Sequence, residues 1–383
     1  MSKKITIFLS ILFFLISAGL TYYFKSNTKI GLLSKYNKPG ELQNGISVIE
    51  EGPKTESCPL NGKLYSRGQK NKWEKRRPLV IAIENHLDAR PQSGLQNADV
   101  IYEAVAEGGI TRFLAIYLCE DAGVVGPVRS ARIYFLKLLQ GYGLYPLYAH
   151  VGGANTPGPA DALGEIADIG WDGYNDLNQF AVPFPTYYRD YERLPDRVTE
   201  HTMYSGTDKL WSFAAKSRKL TNIDEDKDKW DEKFTPRKFK KEAKTSDRGS
   251  VNKISFGFWE QFSKDYSVSW NYNKESNTYK RVNGGSPHND FNSKKQLEFK
   301  TIVVVFADET PANDGYPGGH LLYDVVGDGD GLLFQDGKAQ KISWEKQEEE
   351  DTMMFIDKDG EEVELNAGKI FIEILPIGND VKY

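Results

Sequence analysis

The sequence predicts an α+β protein: an N-terminal transmembrane helix, a mixed α/β first domain and a mostly antiparallel β second domain. Three observations carry that expectation. An uncharged run covers Ile5 to Phe24, strand-like and helix-like runs interleave between Arg77 and Lys219, and alternating residues punctuated by Asp-Gly steps dominate after Lys253. A chain of 383 residues has room for an anchor and two domains of ordinary size. With 39% hydrophobic and 13% aromatic residues it can build a core, and a net charge of -5 argues against a general nucleic-acid binder.

The anchor is read first because it sets the compartment. The 20 residues Ile5 to Phe24 suffice to cross a hydrocarbon core as a helix. Lys3 and Lys4 precede the run and Tyr22 and Tyr23 close it, so the terminus is expected inside and the body outside the cytoplasm. A cleaved signal peptide is the competing reading, since Ser17-Ala18-Gly19 supplies small residues near the end of the run. The run is longer than a usual signal core, which favours the uncleaved helix. The expected divisions are an anchor over 1–25, a flexible tether over 26–75, an α/β domain over 76–222, a charged linker over 223–250 and a β domain over 251–383.

Within the first domain, Leu79 to Ile83 reads as a buried strand. Val100 to Ala106 and Arg112 to Cys119 read as two more, joined through Gly108-Gly109 as a hairpin. Pro127 then marks a helix start, with helical spacing over Val128 to Leu139, and Pro146 to Val151 returns to a strand. Pro159 to Ala167 and Thr207 to Lys219 are further helix candidates. The connector is charge-segregated and poor in apolar residues, so a solvated linker is expected, with a basic arm toward anionic lipid or wall polymer as the other reading. In the second domain the Asp-Gly steps at Asp314, Asp328, Asp330, Asp336 and Asp359 read as tight turns. Calcium loops are a poorer account, because the later ligand positions are missing. Cys58 and Cys119 fit no metal-ligand spacing and read as two separate thiols, with a disulfide as the alternative in an oxidising compartment.

Polar chemistry concentrates between Glu84 and Arg132. Asn85 and His86 follow a predicted strand, Glu103 and Glu107 lie on the next, and Arg112 opens the third. Arg129, Ser130 and Arg132 would occupy a helix start, where the macrodipole disfavours cations. One relief is internal pairing of Arg112, Arg129 or Arg132 with Glu103 or Glu107. The other is an external carboxylate or phosphate held by Arg129 and Arg132 on one helical face. His150, ending a strand before Gly152-Gly153, and His201 are further candidates. A Ser130/His150/Glu107 triad lacks a nucleophile elbow, and His86, His150 and His201 show no metal-binding spacing. No metal and no cofactor is expected.

Several stretches resemble the YerB-like family of bacterial envelope proteins, often lipoproteins, built around a domain of unknown function. They are Arg77 to His86, Ala89 to Leu95, Ala98 to Glu103, Glu107 to Phe113, Gly126 to Arg132, His150 to Gly153 and Tyr188 to Asp190. Tyr279 to Gly285 and Leu365 to Lys369 extend the resemblance into the second domain. It implies an envelope location and no defined reaction. Two departures stand out: Leu15-Ile16-Ser17-Ala18-Gly19 is followed by Leu20 instead of a lipobox cysteine, and Glu200-His201-Thr202 replaces the family's Pro-His-Asn stretch.

The resulting expectation is a single-pass protein of the cell membrane with an extracytoplasmic body. Its proposed role is non-enzymatic: it binds an anionic wall glycan or peptide, or a membrane-bound wall-synthesis protein, through Arg112, Arg129, Ser130, Arg132, His150, Glu103, Glu107, Asn85 and His86. The alternative is a hydrolase or transferase on wall polymer, with Glu103 or Glu107 and His150 as acid and base. A third reading makes the β domain an interaction module on a rigid spacer.

Overall fold

A computed structural model describes residues 52–383; the predicted membrane helix and the tether up to residue 51 lie outside the described residues. Among the described residues no helix is long and apolar enough to cross a membrane. The described residues are richer in strand than expected, and their helices are short: α1 (Arg67–Trp73), α2 (Ile133–Gln140), α3 (Ala162–Asp168) and α4 (Thr207–Ser217), with one further turn of helix at Ser263–Tyr266. The first half contributes β1 (Leu79–Glu84), β2 (Val100–Glu107), β3 (Ile110–Tyr117), β4 (Leu147–His150) and β5 (Asp176–Asn178). The second half begins with β6 (Lys253–Phe256), β7 (Val268–Asn273), β8 (Thr278–Asn283), β9 (Ser286–Pro287) and β10 (Glu298–Phe299). It ends with β11 (Thr301–Ala307), β12 (Gly327–Gln335), β13 (Lys338–Lys346), β14 (Met354–Ile356) and β15 (Ile370–Pro376).

Ten of these strands form one mixed sheet in the order β14-β13-β12-β11-β15-β2-β3-β1-β4-β5. The last strand, β15, lies in the middle, parallel to β11 on one side and to β2 on the other. The two halves read from the sequence therefore share a sheet. Strands buried on both faces read as near-continuous apolar runs, which is why Leu79 to Ile83, Thr301 to Phe306 and Ile370 to Leu375 carry so few polar residues. Strands β6 to β10 make a second, five-stranded antiparallel sheet. It packs on one face of the first: Trp270 meets Phe371 at 5.0 Å between ring centroids, and Phe113 meets His288 at 5.7 Å.

Gly108 and Gly109 take positive φ and turn β2 into β3, as the sequence predicts. Asp336-Gly337 does the same between β12 and β13. Asp328-Gly329 and Asp330-Gly331 do not turn; they lie inside β12. The glycines are needed there for closeness, because a Cβ at Gly329 would sit 2.6 Å from the Trp344 indole nitrogen.

Three other expectations are corrected. The helix expected from Val128 begins only at Ile133, after a cis Gly126-Pro127 bond. The backbone donors of residues 128, 129 and 131 are taken by Met203, Ala82 and Gly152, so the segment stays extended between neighbouring strands. The connector is not a solvated excursion. Trp230, Phe234 and Arg237 are buried, Phe234 lies against Tyr142, and Phe239–Lys240 pairs in parallel with Leu365–Asn366. Its few apolar residues suffice because each lands on the body. The tether, from Gly52 onward, is folded as well: a short hairpin is followed by α1, whose start is closed by a Ser66/Gln69 capping box.

Cys58 and Cys119 are joined in a disulfide across 61 residues, the alternative the sequence left open. It ties the N-terminal hairpin to the end of β3, where Asp99 accepts hydrogen bonds from the backbone of Leu118 and Cys119 and from Asn61. Closing a loop of this length removes unfolded-state entropy equivalent to about 4 kcal/mol. Cys58→Ser/Cys119→Ser is expected to lower the unfolding free energy by about that much in urea melts under oxidising conditions. Wild type in a thiol reductant should converge on the variant, and an unchanged midpoint would show that the bridge adds nothing.

Candidate functional site

The pleat of the sheet sorts the candidate residues. Glu84, Arg112 and Ala104 are in register across β1, β3 and β2, so they share one face; Ile83, Phe113 and Glu103 share the other. A β-bulge between Val105 and Glu107 turns Glu107 onto the face of Arg112. The expected convergence of Glu103 with His150 and the arginines therefore does not form.

Glu103 belongs to a sealed network under the second sheet. Its carboxylate accepts from Asn85 (3.1 Å) and Thr111 (2.5 Å) and pairs with Arg281. Arg281 also bonds His288 at 2.8 Å, and His288 bonds Gln92 at 2.8 Å. The Asn85 carbonyl oxygen accepts from Arg90, Gln92 and Asn283, each at 3.0 Å. Glu373 stands opposite Glu103 in the sheet and accepts from the Trp270 indole at 2.9 Å. Burial and the facing Glu103 carboxylate push Glu373 well above the usual carboxylate range. Burial, with Arg281 and Arg90 nearby, pulls His288 well below the usual imidazole value. Asn85 and Glu103 are thus structural. His150 is equally enclosed: its ring nitrogens bond Asp176 at 2.5 Å and the Gly152 carbonyl at 2.7 Å, so it is not an available acid or base.

The opposite face carries two charged clusters. In the first, Arg112 and Arg132 both pair with Glu107, and Arg112 also donates to the Ser130 carbonyl at 2.9 Å. Both guanidinium side chains are only 7% exposed, so two buried cations share one partner carboxylate. The Nε atoms of Arg112 and Arg132 are buried without hydrogen-bond partners, and the Tyr148 hydroxyl lies against the Arg132 backbone. Burial lowers both guanidinium pKa values and raises that of Tyr148, on which both arginines act electrostatically.

The second cluster is half open. Buried Glu84, at the end of β1, holds His201 Nδ1 at 2.9 Å and Arg129 Nε at 3.2 Å. Exposed Glu200 lies 3.6 Å from both Arg129 and His201 Nε2. His86 stacks on His201, and Arg197 pairs with Asp88 at 3.2 Å. Arg129 and Arg132, expected side by side on one helix face, go to different clusters because the chain between them is extended. The hydrogen bond that His201 Nδ1 donates to the Glu84 carboxylate raises the His201 pKa.

Two described trios bring metal-ligand atoms within 4.8 Å of one another. In one, Cys58 and Cys119 are consumed by the disulfide. In the other, His86, Asp88 and His201, the two imidazoles lie parallel at 8° with centroids 4.7 Å apart, so no ion can lie in both ring planes.

Sequence reasoning missed the partners supplied from far along the chain: Arg281, His288 and Glu373 for Glu103, and Tyr148 for the arginine pair. The run Tyr279 to Gly285, singled out only as a family motif, contained Arg281 and Asn283. No spacing rule links residue 281 to residue 103.

Fold and clusters together define a β-rich, disulfide-bonded protein whose charged groups gather where strands end. Residues 66–221 match the family model described as the N-terminal domain of a protein of unknown function, DUF3048, and residues 259–372 match the corresponding C-terminal domain. The chain belongs to the YerB-like family of proteins of unknown function. YerB of Bacillus subtilis (strain 168), named a candidate lipoprotein, is 28% identical over 335 residues, covering 86% of this chain and 89% of that protein. The crystal structure of the YerB protein from Bacillus subtilis matches with a TM-score of 0.68 at 27% identity, covering 86% of this chain and 100% of that one.

Arg281→Met strands the Glu103 carboxylate in the interior and should cost about 3–5 kcal/mol in chemical denaturation. Adding Glu103→Gln should recover part of the loss; additive losses would show that the two groups do not act as a pair. For His201, the imidazole titration followed by NMR should have a midpoint above 6.5, falling back in Glu84→Gln. The stability it contributes is present below pH 6.5 and lost as pH rises through the folded midpoint. A midpoint unmoved by Glu84→Gln would remove the dyad.

Proposed function

We propose that the protein is a membrane-anchored component of the cell envelope whose body binds an anionic ligand of the wall, a carboxylate- or phosphate-bearing glycan or peptide, at the Arg112/Arg132 cluster. One observation carries this reading: two buried guanidinium groups share the Glu107 carboxylate and leave both of their Nε donors without partners. Buried cations in excess of their counter-charge are costly, and an anion beside them lowers that cost. Planar guanidinium groups also suit bidentate contact with carboxylate or phosphate. Arg129, already held by Glu84 and Glu200, takes no part.

The envelope location is supported by the candidate-lipoprotein description of Bacillus subtilis YerB and by the disulfide, which suits an oxidising compartment. Both cysteines of the chain are in that bridge, so neither is available to carry a lipid. The uncharged run Ile5 to Phe24 is the proposed anchor. A hydrolytic or transferase role is the second reading. The Glu84–His201 pair favours it, because a buried carboxylate on Nδ1 is how a general-base imidazole is oriented.

Calorimetric titration with purified anionic wall glycan and with muropeptides tests the binding reading. Wild type and Arg129→Ala should bind alike, whereas Arg132→Gln should bind about tenfold or more weakly, the loss expected for one charged hydrogen bond. Equal affinity in all three would remove the site. Turnover of the polymer that disappears in His201→Gln would move the assignment to the enzyme.

A further inference from the structure

At the far edge of the large sheet, β11 and β12 separate. They are paired from Ile302↔Phe334 to Val305↔Gly331, and there the ladder stops. Strand β12 runs on through Gly327–Asp330 with β13 as its partner on one side only, and β11 runs on through Phe306 and Ala307 against β15. The Trp344 indole lies between the diverging strands and donates to the Phe306 carbonyl at 3.0 Å. Above it is a cleft of about 890 Å³, bounded by Phe306–Asp308 on one wall and Gly327–Asp330 on the other. That is the size of a ligand pocket.

The charge in this cleft is one-sided. Asp308, Asp324, Asp328 and Asp330 come from three separate stretches of chain, all are exposed, and none makes an ion pair among the described residues. Lys341 is the one basic residue in the lining. Trp344 covers Gly329, and Val304 and Ile342 cover Gly331, whereas Gly327 has open space on its Cβ side, so an incoming chain can approach the strand most closely at its start. An unpaired strand edge presents backbone donors and acceptors to any extended chain. A second copy of this protein would bring the same row of aspartates and be repelled, whereas a basic chain would be attracted.

We infer that this cleft docks an extended, lysine- or arginine-bearing peptide segment, which adds as a strand along Gly327–Asp330 with its cations against the four aspartates. Backbone pairing supplies the geometry and the aspartates supply the selection, as in other sheet-edge recognition. The site is separate from the arginine cluster and stands or falls without it.

The test uses the purified full-length protein and a synthetic peptide of about ten alternating lysine and valine residues, with two N-methylated versions of equal charge. One is methylated at every lysine and one at every valine, so each blocks the donors of one strand edge. The unmodified peptide should bind in the micromolar range, and one of the two methylated forms should lose about tenfold or more. Asp328→Asn/Asp330→Asn, an exposed pair, should lose a similar factor. Hydrogen exchange should slow at the amides of residues 327–330 when peptide is bound. No binding, equal binding of all three peptides, or full affinity in the double variant would overturn the proposal. So would sedimentation showing the cleft closed by self-association, or protection of those amides by calcium chloride and not by peptide.

Discussion

Two carboxyl groups face each other in the middle of the large sheet, and the fold is arranged around keeping them there. Glu103 on β2 and Glu373 on β15 are directly opposed in register, a placement that is unfavourable for like charges. Arg281 reaches in from the second sheet to pair with Glu103 and approaches Glu373 at 3.7 Å. The raised pKa of Glu373 favours a proton on that carboxyl, which eases the remaining repulsion. One guanidinium thus holds together the strand that begins the sheet's centre, the strand that ends the chain and the sheet packed over both. The surrounding amides and His288 take up most of the polar atoms around the pair, although Arg281 Nε, Asn283 Oδ1 and one Glu373 oxygen stay without hydrogen-bond partners.

That arrangement explains why the same sequence neighbourhood looked like a binding site. Polar residues at strand ends usually mean function; Asn85 follows the end of β1 and Glu107 ends β2, while Glu103 lies midway along the same strand. The pleat and one bulge decide between them. Glu103 points under the second sheet and is consumed by structure, while Glu107 is turned to the other face and meets Arg112 and Arg132. Only that second face leaves cations in excess of acids. The half-open Glu84–His201 group beside it holds an imidazole through Nδ1 on a buried carboxylate.

Much of the scaffold was legible in the sequence, and much of the site was not, for different physical reasons. Apolar runs such as Leu79 to Ile83 and Thr301 to Phe306 announced buried strands because period and length are local properties. The Gly108-Gly109 turn was legible because positive φ selects glycine. The helix start at Pro127 was misread, since the tertiary partners Met203, Ala82 and Gly152 claim the backbone donors that a helix would otherwise use. The charged connector was misread because composition does not reveal where a few aromatic residues will land. Glu103 could not be assigned from its own surroundings, as its counter-ion lies 178 residues away. The disulfide was left open because Cys58 and Cys119 are brought together only by the docking of the N-terminal hairpin.

Among the described residues, the strand at the centre of the sheet follows every other strand in sequence. Until residues 370–376 leave the ribosome, β2 and β11 each present an open apolar edge and the two halves have no shared ladder. The two halves therefore cannot complete their common sheet until that strand is in place. The same order of events makes the carboxyl end intolerant of loss: truncation by a dozen residues would cut into the keystone strand itself and expose both edges to aggregation.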